Sequence, residues 1–150
     1  MSMSNKLFNT PFELSLHVIM LLDVVDDAIT IDRIIAYDFI SVYSEIFGIY
    51  ESSLNGENRF AFSELSTRRG LIKSAVKDLV LDRLIQVEDN ELGTLYRISE
   101  SGKTMSRDFQ SGYAMQYKKI MEMIVQKYAK DNEVSLFDMI NRQSTKSLRR

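Results

Sequence analysis

At 150 residues, with 45% hydrophobic and 27% charged side chains, the chain has the length and balance of one globular domain with a real core. It holds no cysteine, which excludes disulfides and thiolate chemistry and suits a cytoplasmic protein. The net charge of −2 is unevenly spread: residues 1–62 carry three basic and nine acidic side chains, residues 63–150 sixteen and twelve. The first part would repel phosphate and the second could attract it, a balance that favours a protein partner over autonomous DNA binding. The longest apolar run, Val18 to Leu22, is too short to span a bilayer, and nothing before it resembles a signal peptide. No membrane contact is expected.

In chain order, Asn9-Thr10-Pro11-Phe12-Glu13 predicts a helix start, with Thr10 as cap, Pro11 at the first helical position and Glu13 completing a capping box. Leu14, Val18, Leu21, Leu22 and Val25 recur at helical spacing until Asp26-Asp27 ends the run. A second start at Thr30 has Asp32 in its first turn. In that helix Ile34, Ile35, Tyr37, Phe39, Ile40, Tyr43 and Phe47 cover more than one face, so it is expected to be buried on two sides, by its own domain or by a partner. Gly48 is its predicted stop, and residues 48–62 read as an exposed loop. The next helix runs from Ser63 to about Arg83 on an inner stripe of Leu65, Ile72, Ala75, Val76, Leu79 and Val80. Arg69, Lys73 and Lys77 fall four apart on its predicted outer face, with Arg68 beside them.

A hairpin follows: Leu84, Ile85 and Val87 lead into a turn at Glu88-Asp89-Asn90-Glu91, and Leu95, Tyr96 and Ile98 return beyond Gly93. Ser101-Gly102 opens a polar helix to about Gln110, and Gly112 marks a kink or break. Tyr113, Tyr117, Ile120, Met121, Ile124, Val125 and Tyr128 form another amphipathic stripe, and a short closing helix is predicted over Leu136–Asn141. Residues 1–142 are thus expected to form a single domain and residues 143–150 a disordered basic tail. Helix, hairpin, helix points to an α+β, mostly α fold: a winged helix-turn-helix with a short β-hairpin wing and additional C-terminal helices.

The residues offer little for catalysis. His17 is the only histidine, sits mid-helix and has no cysteine to join it in a zinc site. There is no G-x-S-x-G elbow and no G-x-x-x-x-G-K-[ST] loop. Asp23, Asp26 and Asp27 lack the alternating spacing and central glycine of a calcium loop. No enzyme activity, metal or cofactor is expected. Two surfaces stand out instead. Arg68, Arg69, Lys73 and Lys77, with Arg59 in the preceding loop, are candidates for DNA or partner contact, or a solvated face; the acidic hairpin tip Glu88, Asp89 and Glu91 would repel a phosphate backbone. Tyr37, Phe39 and Tyr43 on one helix, and Tyr113, Met115, Tyr117 and Met123 on another, are candidates for a protein interface with another subunit or a second copy, the alternative being core.

Leu7-Phe8-Asn9-Thr10-Pro11-Phe12-Glu13-Leu14 followed by Met20-Leu21-Leu22-Asp23 resembles the opening of the small middle component of ABC-three-component systems, which include Lamassu-type anti-phage and anti-plasmid operons. Asp32-Arg33-Ile34 with Tyr37-Asp38-Phe39, Glu64-Leu65 with Arg68-Arg69, and Leu79 to Ile85 resemble its later segments, and the likeness covers residues 7–142. The resemblance implies a winged-helix accessory subunit that acts as adaptor on an SMC/Rad50-like ABC ATPase, with an effector subunit, often a nuclease. It implies DNA reached through the complex, and it has no catalytic residues to carry over. The rival reading is a stand-alone winged-helix DNA-binding transcription regulator.

Overall fold

The computed structural model describes residues 10–49, 62–91 and 93–148. Thr10 caps the first helix, α1 (Pro11–Val25): its hydroxyl accepts the Glu13 amide at 3.2 Å, and Pro11 takes the first turn, where no amide donor is needed. The helix stops at Asp26, which turns into the left-handed region at φ 52°. Thr10→Ala removes the cap bond and is expected to destabilise the protein by about 1 kcal/mol, lowering the thermal midpoint by about 2–4 °C. An unchanged melt would mean that α1 starts elsewhere.

Thr30 caps α2 (Ile31–Val42) in the same way, accepting the Arg33 amide at 3.1 Å. Every residue from Ile34 to Val42 is buried, because α1, α3 (Phe62–Leu81), α5 (Gly112–Tyr128) and α6 (Glu133–Leu148) all pack around this helix. Tight turns carry the chain on to Gly48, at φ 69°. The predicted loop falls largely outside the described residues.

α3 buries Leu65, Ile72, Ala75, Val76 and Leu79. It ends with Arg83 at φ 63°, the Arg83 amide bonding back to the Val80 carbonyl and the Leu84 amide to that of Leu79. That pair of bonds is a Schellman close, with arginine in the place usually held by glycine. The chain thereby reverses into the antiparallel hairpin β1 (Ile85–Asn90) and β2 (Gly93–Ile98). The turn is narrower than the expected Glu88–Glu91: Glu88, Asp89 and Asn90 are strand residues opposite Leu95, Thr94 and Gly93. Asn90 pairs directly with Gly93, whose φ of 119° few other residues tolerate. On the far side of β2, Ile29 exchanges two backbone bonds with Tyr96, at 2.9 and 2.8 Å, so the hairpin is stitched to the α1–α2 connection.

Ser99 starts α4 (Glu100–Asp108), its hydroxyl accepting the Gly102 amide and donating to the Arg83 carbonyl. The break expected at Gly112 is a helix start, with Ser111 as cap of α5. Asn132 accepts the Ser135 amide at the head of α6. This last helix is longer than the predicted Leu136–Asn141, its backbone continuing as helix to Leu148, into the segment expected as a tail. Leu136 and Ile140 anchor it to the core, and Arg33 ties its first turn to α2 through a 2.8 Å pair with Glu133. Among the described residues no helix is long and apolar enough to cross a membrane.

Candidate functional site

Asp38 lies in the middle of α2 with no exposed surface, a position where a bare carboxylate would be very costly. It is fully engaged. Arg68, on α3, donates to Oδ2 from Nε at 3.1 Å and from Nη2 at 2.6 Å. Tyr117, on α5, donates its hydroxyl to Oδ1 at 2.9 Å. His17, on α1, places Nδ1 3.1 Å from the same oxygen and Nε2 3.1 Å from the Tyr113 hydroxyl. A carboxylate only accepts, so Nδ1 carries the proton; in the neutral ring Nε2 then accepts from Tyr113. The His17 ring stacks on Tyr117, with centroids 4.5 Å apart.

Burial alone would push the Asp38 carboxyl up, but the Arg68 guanidinium and the His17 hydrogen bond hold it well below the usual carboxylate range. Burial and the Asp38 charge push the Tyr117 and Tyr113 hydroxyls up, which keeps them protonated as donors. Burial disfavours the Arg68 charge, and the Asp38 carboxylate more than restores it. These groups bond to one another and bind four helices together. Their chemistry is that of a lock.

The lock bears on two readings of the sequence. Arg68 is not on the outer face of α3; it is 2% exposed, because position 68 lies three residues after Leu65 and four before Ile72, on the inner stripe. Tyr37, Phe39, Tyr43 and Tyr117, for which the sequence left interface and core open, are buried in the core of this chain, since the helices surrounding α2 cover them. Tyr113 is half-buried against His17, while Met115 and Met123 are exposed on α5. Arg59 lies outside the described residues.

The remaining cations of α3 lead to a second feature. Arg69 is paired with Asp32 at 2.8 Å and stands over the Phe137 ring, which docks α3 to α2 and α6. Lys73 and Lys77 are exposed one turn apart. They edge a groove of about 410 Å³ in the angle between α3 and the hairpin. Val76, Val80 and Leu81 form its helical wall, and Val87 and Tyr96, directly paired across the hairpin, form the other. Leu81 is 71% exposed and Val87 44%. Val80 falls on the inner stripe of α3 and Leu81 off it; a leucine at the last position of a helix carries no signal of what lies opposite it. At the hairpin's acidic end, Glu88 is paired with Arg97, and Asp89 accepts from the Thr94 hydroxyl.

The family model of the ABC-three component (ABC-3C) system Middle Component 2 matches residues 7–150 of the chain. No curated protein and no solved structure matches it.

Proposed function

The chain belongs to the ABC-three component system Middle Component 2 family, and from that premise we propose that it is the non-catalytic adaptor of a Lamassu-type defence complex in the cytoplasm. In this reading it binds an SMC/Rad50-like ABC ATPase and helps couple the sensing of foreign DNA to an effector such as a nuclease. Membership in a three-component system itself implies partner subunits. The proposed architecture is a winged helix: α1, α2 and α3 are the three helices, the hairpin is the wing, and Ile29 bridged to Tyr96 supplies the short third strand.

One observation carries the choice of adaptor over DNA reader. The concave face between α3 and the wing, where a DNA reader carries polar and basic side chains, presents Leu81 and Val87 to solvent. Two lysines at its edge and carboxylates at the wing tip complete a surface better suited to a polypeptide than to a phosphate backbone. The mutual engagement of the groups around Asp38 supports a non-catalytic role.

The test is co-expression with the partner ATPase, together with titration of one DNA duplex against the free subunit and the complex at two salt concentrations. The subunit is expected to co-purify at moderate salt and, alone, to bind duplex weakly and without sequence preference. Tight, sequence-selective binding by the free subunit would instead make it a stand-alone transcription regulator.

A further inference from the structure

We propose that the groove between α3 and the hairpin seats an amphipathic helix of a partner subunit, with its apolar row against Val80, Leu81 and Val87 and two carboxylates one turn apart on Lys73 and Lys77. The proposal rests on the adaptor reading and names the chemistry that the adaptor recognises.

Charge decides the sign of the partner. Among the described residues neither lysine makes an ion pair. Asp78 on α3 and Asp82 just beyond its end point elsewhere: at 100° per residue they project about 140° and 180° away from Lys73, and about 100° and 140° away from Lys77. On the neighbouring elements Asp32 is taken by Arg69, Glu88 by Arg97, and Asp89 by the Thr94 hydroxyl. The two ammonium groups are thus the unpaired charges at the groove's edge, and they call for an anion.

Apolarity decides its class. Duplex DNA has no counterpart for the exposed Leu81 and Val87 side chains, and the acidic wing tip would face its phosphates. A polypeptide offers both features at once. The spacing favours a helix over an extended strand: Lys73 and Lys77 are four residues apart, matching carboxylates at i and i+4 on a helix lying alongside. The apolar wall from Val76 to Leu81 suits the i, i+3, i+4 anchors of a helix docked in a groove.

The test uses the full chain co-purified with its partner subunits. A photoreactive phenylalanine analogue in place of Val87 should crosslink to one partner segment, helical in pattern, with Asp or Glu at i,i+4 spacing. Lys73→Glu/Lys77→Glu and, separately, Leu81→Glu should weaken association by about tenfold or more. The substituted side chains are exposed, so each variant's unchanged thermal melt certifies its fold. Lysines placed at the crosslinked carboxylates should restore binding to the reversed pair, which a loss of folding could not imitate. Unchanged association, or a crosslink to a second copy of this chain or to a segment without carboxylates, overturns the groove proposal while leaving the adaptor reading intact; a crosslink to duplex overturns the groove proposal and favours the DNA reader over the adaptor. Failure of the wild-type chain to join its partners overturns both.

Discussion

Replacing Arg68 with methionine is expected to destabilise the protein by about 3–5 kcal/mol, because it strands the Asp38 carboxylate in a site closed to bulk solvent. For a domain of this size that is a midpoint lower by about 6–20 °C, and a large share of the 5–15 kcal/mol (roughly) that holds such domains folded. The pair itself is not the source of the full effect. Removing both charges, in Asp38→Asn/Arg68→Met, should destabilise less than Arg68→Met alone, since the double variant leaves no bare ion. Denaturant unfolding of the wild type, both single variants and the double variant measures this; additive losses would show that the two groups do not interact.

The same contact sets the acid limb of stability. Asp38 has a folded pKa below its unfolded value of about 3.9, so it contributes stability that is complete above that pH and is lost as the pH falls toward the folded value. In Arg68→Met the guanidinium no longer opposes burial, so the carboxyl moves up instead of down. The dependence then changes sign: mild acid, which neutralises the stranded carboxylate, should stabilise the variant relative to neutral pH.

The second large effect is expected at Gly102, in the first turn of α4. Glycine to alanine inside a helix ordinarily stabilises by up to about 1 kcal/mol. Here a Cβ would run into the Leu84 carbonyl oxygen and come within 2.7 Å of Ile98 Cγ1. The Ile98 side chain can shift, but the carbonyl belongs to the backbone and already accepts the Ser99 amide at 3.1 Å. Gly102→Ala should therefore destabilise by about 2–3 kcal/mol, the usual size of an overpacking penalty. Gly70, within α3, is the control, since nothing lies within 4 Å of its would-be Cβ and Gly70→Ala should stabilise. Equal shifts in the two melts would mean that α4 does not approach the hairpin as closely as described.

Local chemistry was legible from the chain alone. Thr10 as a helix cap, the stop at Asp26, the start at Thr30 and the hairpin near Gly93 depend on residues within a few positions of one another, and the structure places each there. So was the family, because the resembling segments from Leu7 to Ile85 are read in sequence order, and the family model matches residues 7–150. The faces were not. Arg68 follows the apolar period of α3, yet a buried arginine requires a partner, and its partner Asp38 lies 30 residues away on another helix. Tyr37, Phe39 and Tyr43 make α2 apolar on more than one side, which suits a helix against a partner subunit as well as one enclosed by its own chain. Only the packing of α1, α3, α5 and α6 around α2 decided for the second, and by putting Arg68 inside it left Lys73 and Lys77 as the unpaired cations beside an apolar groove. Caps and turns are set by bonds that close within one turn of chain, whereas inside and outside are set by which distant surfaces meet.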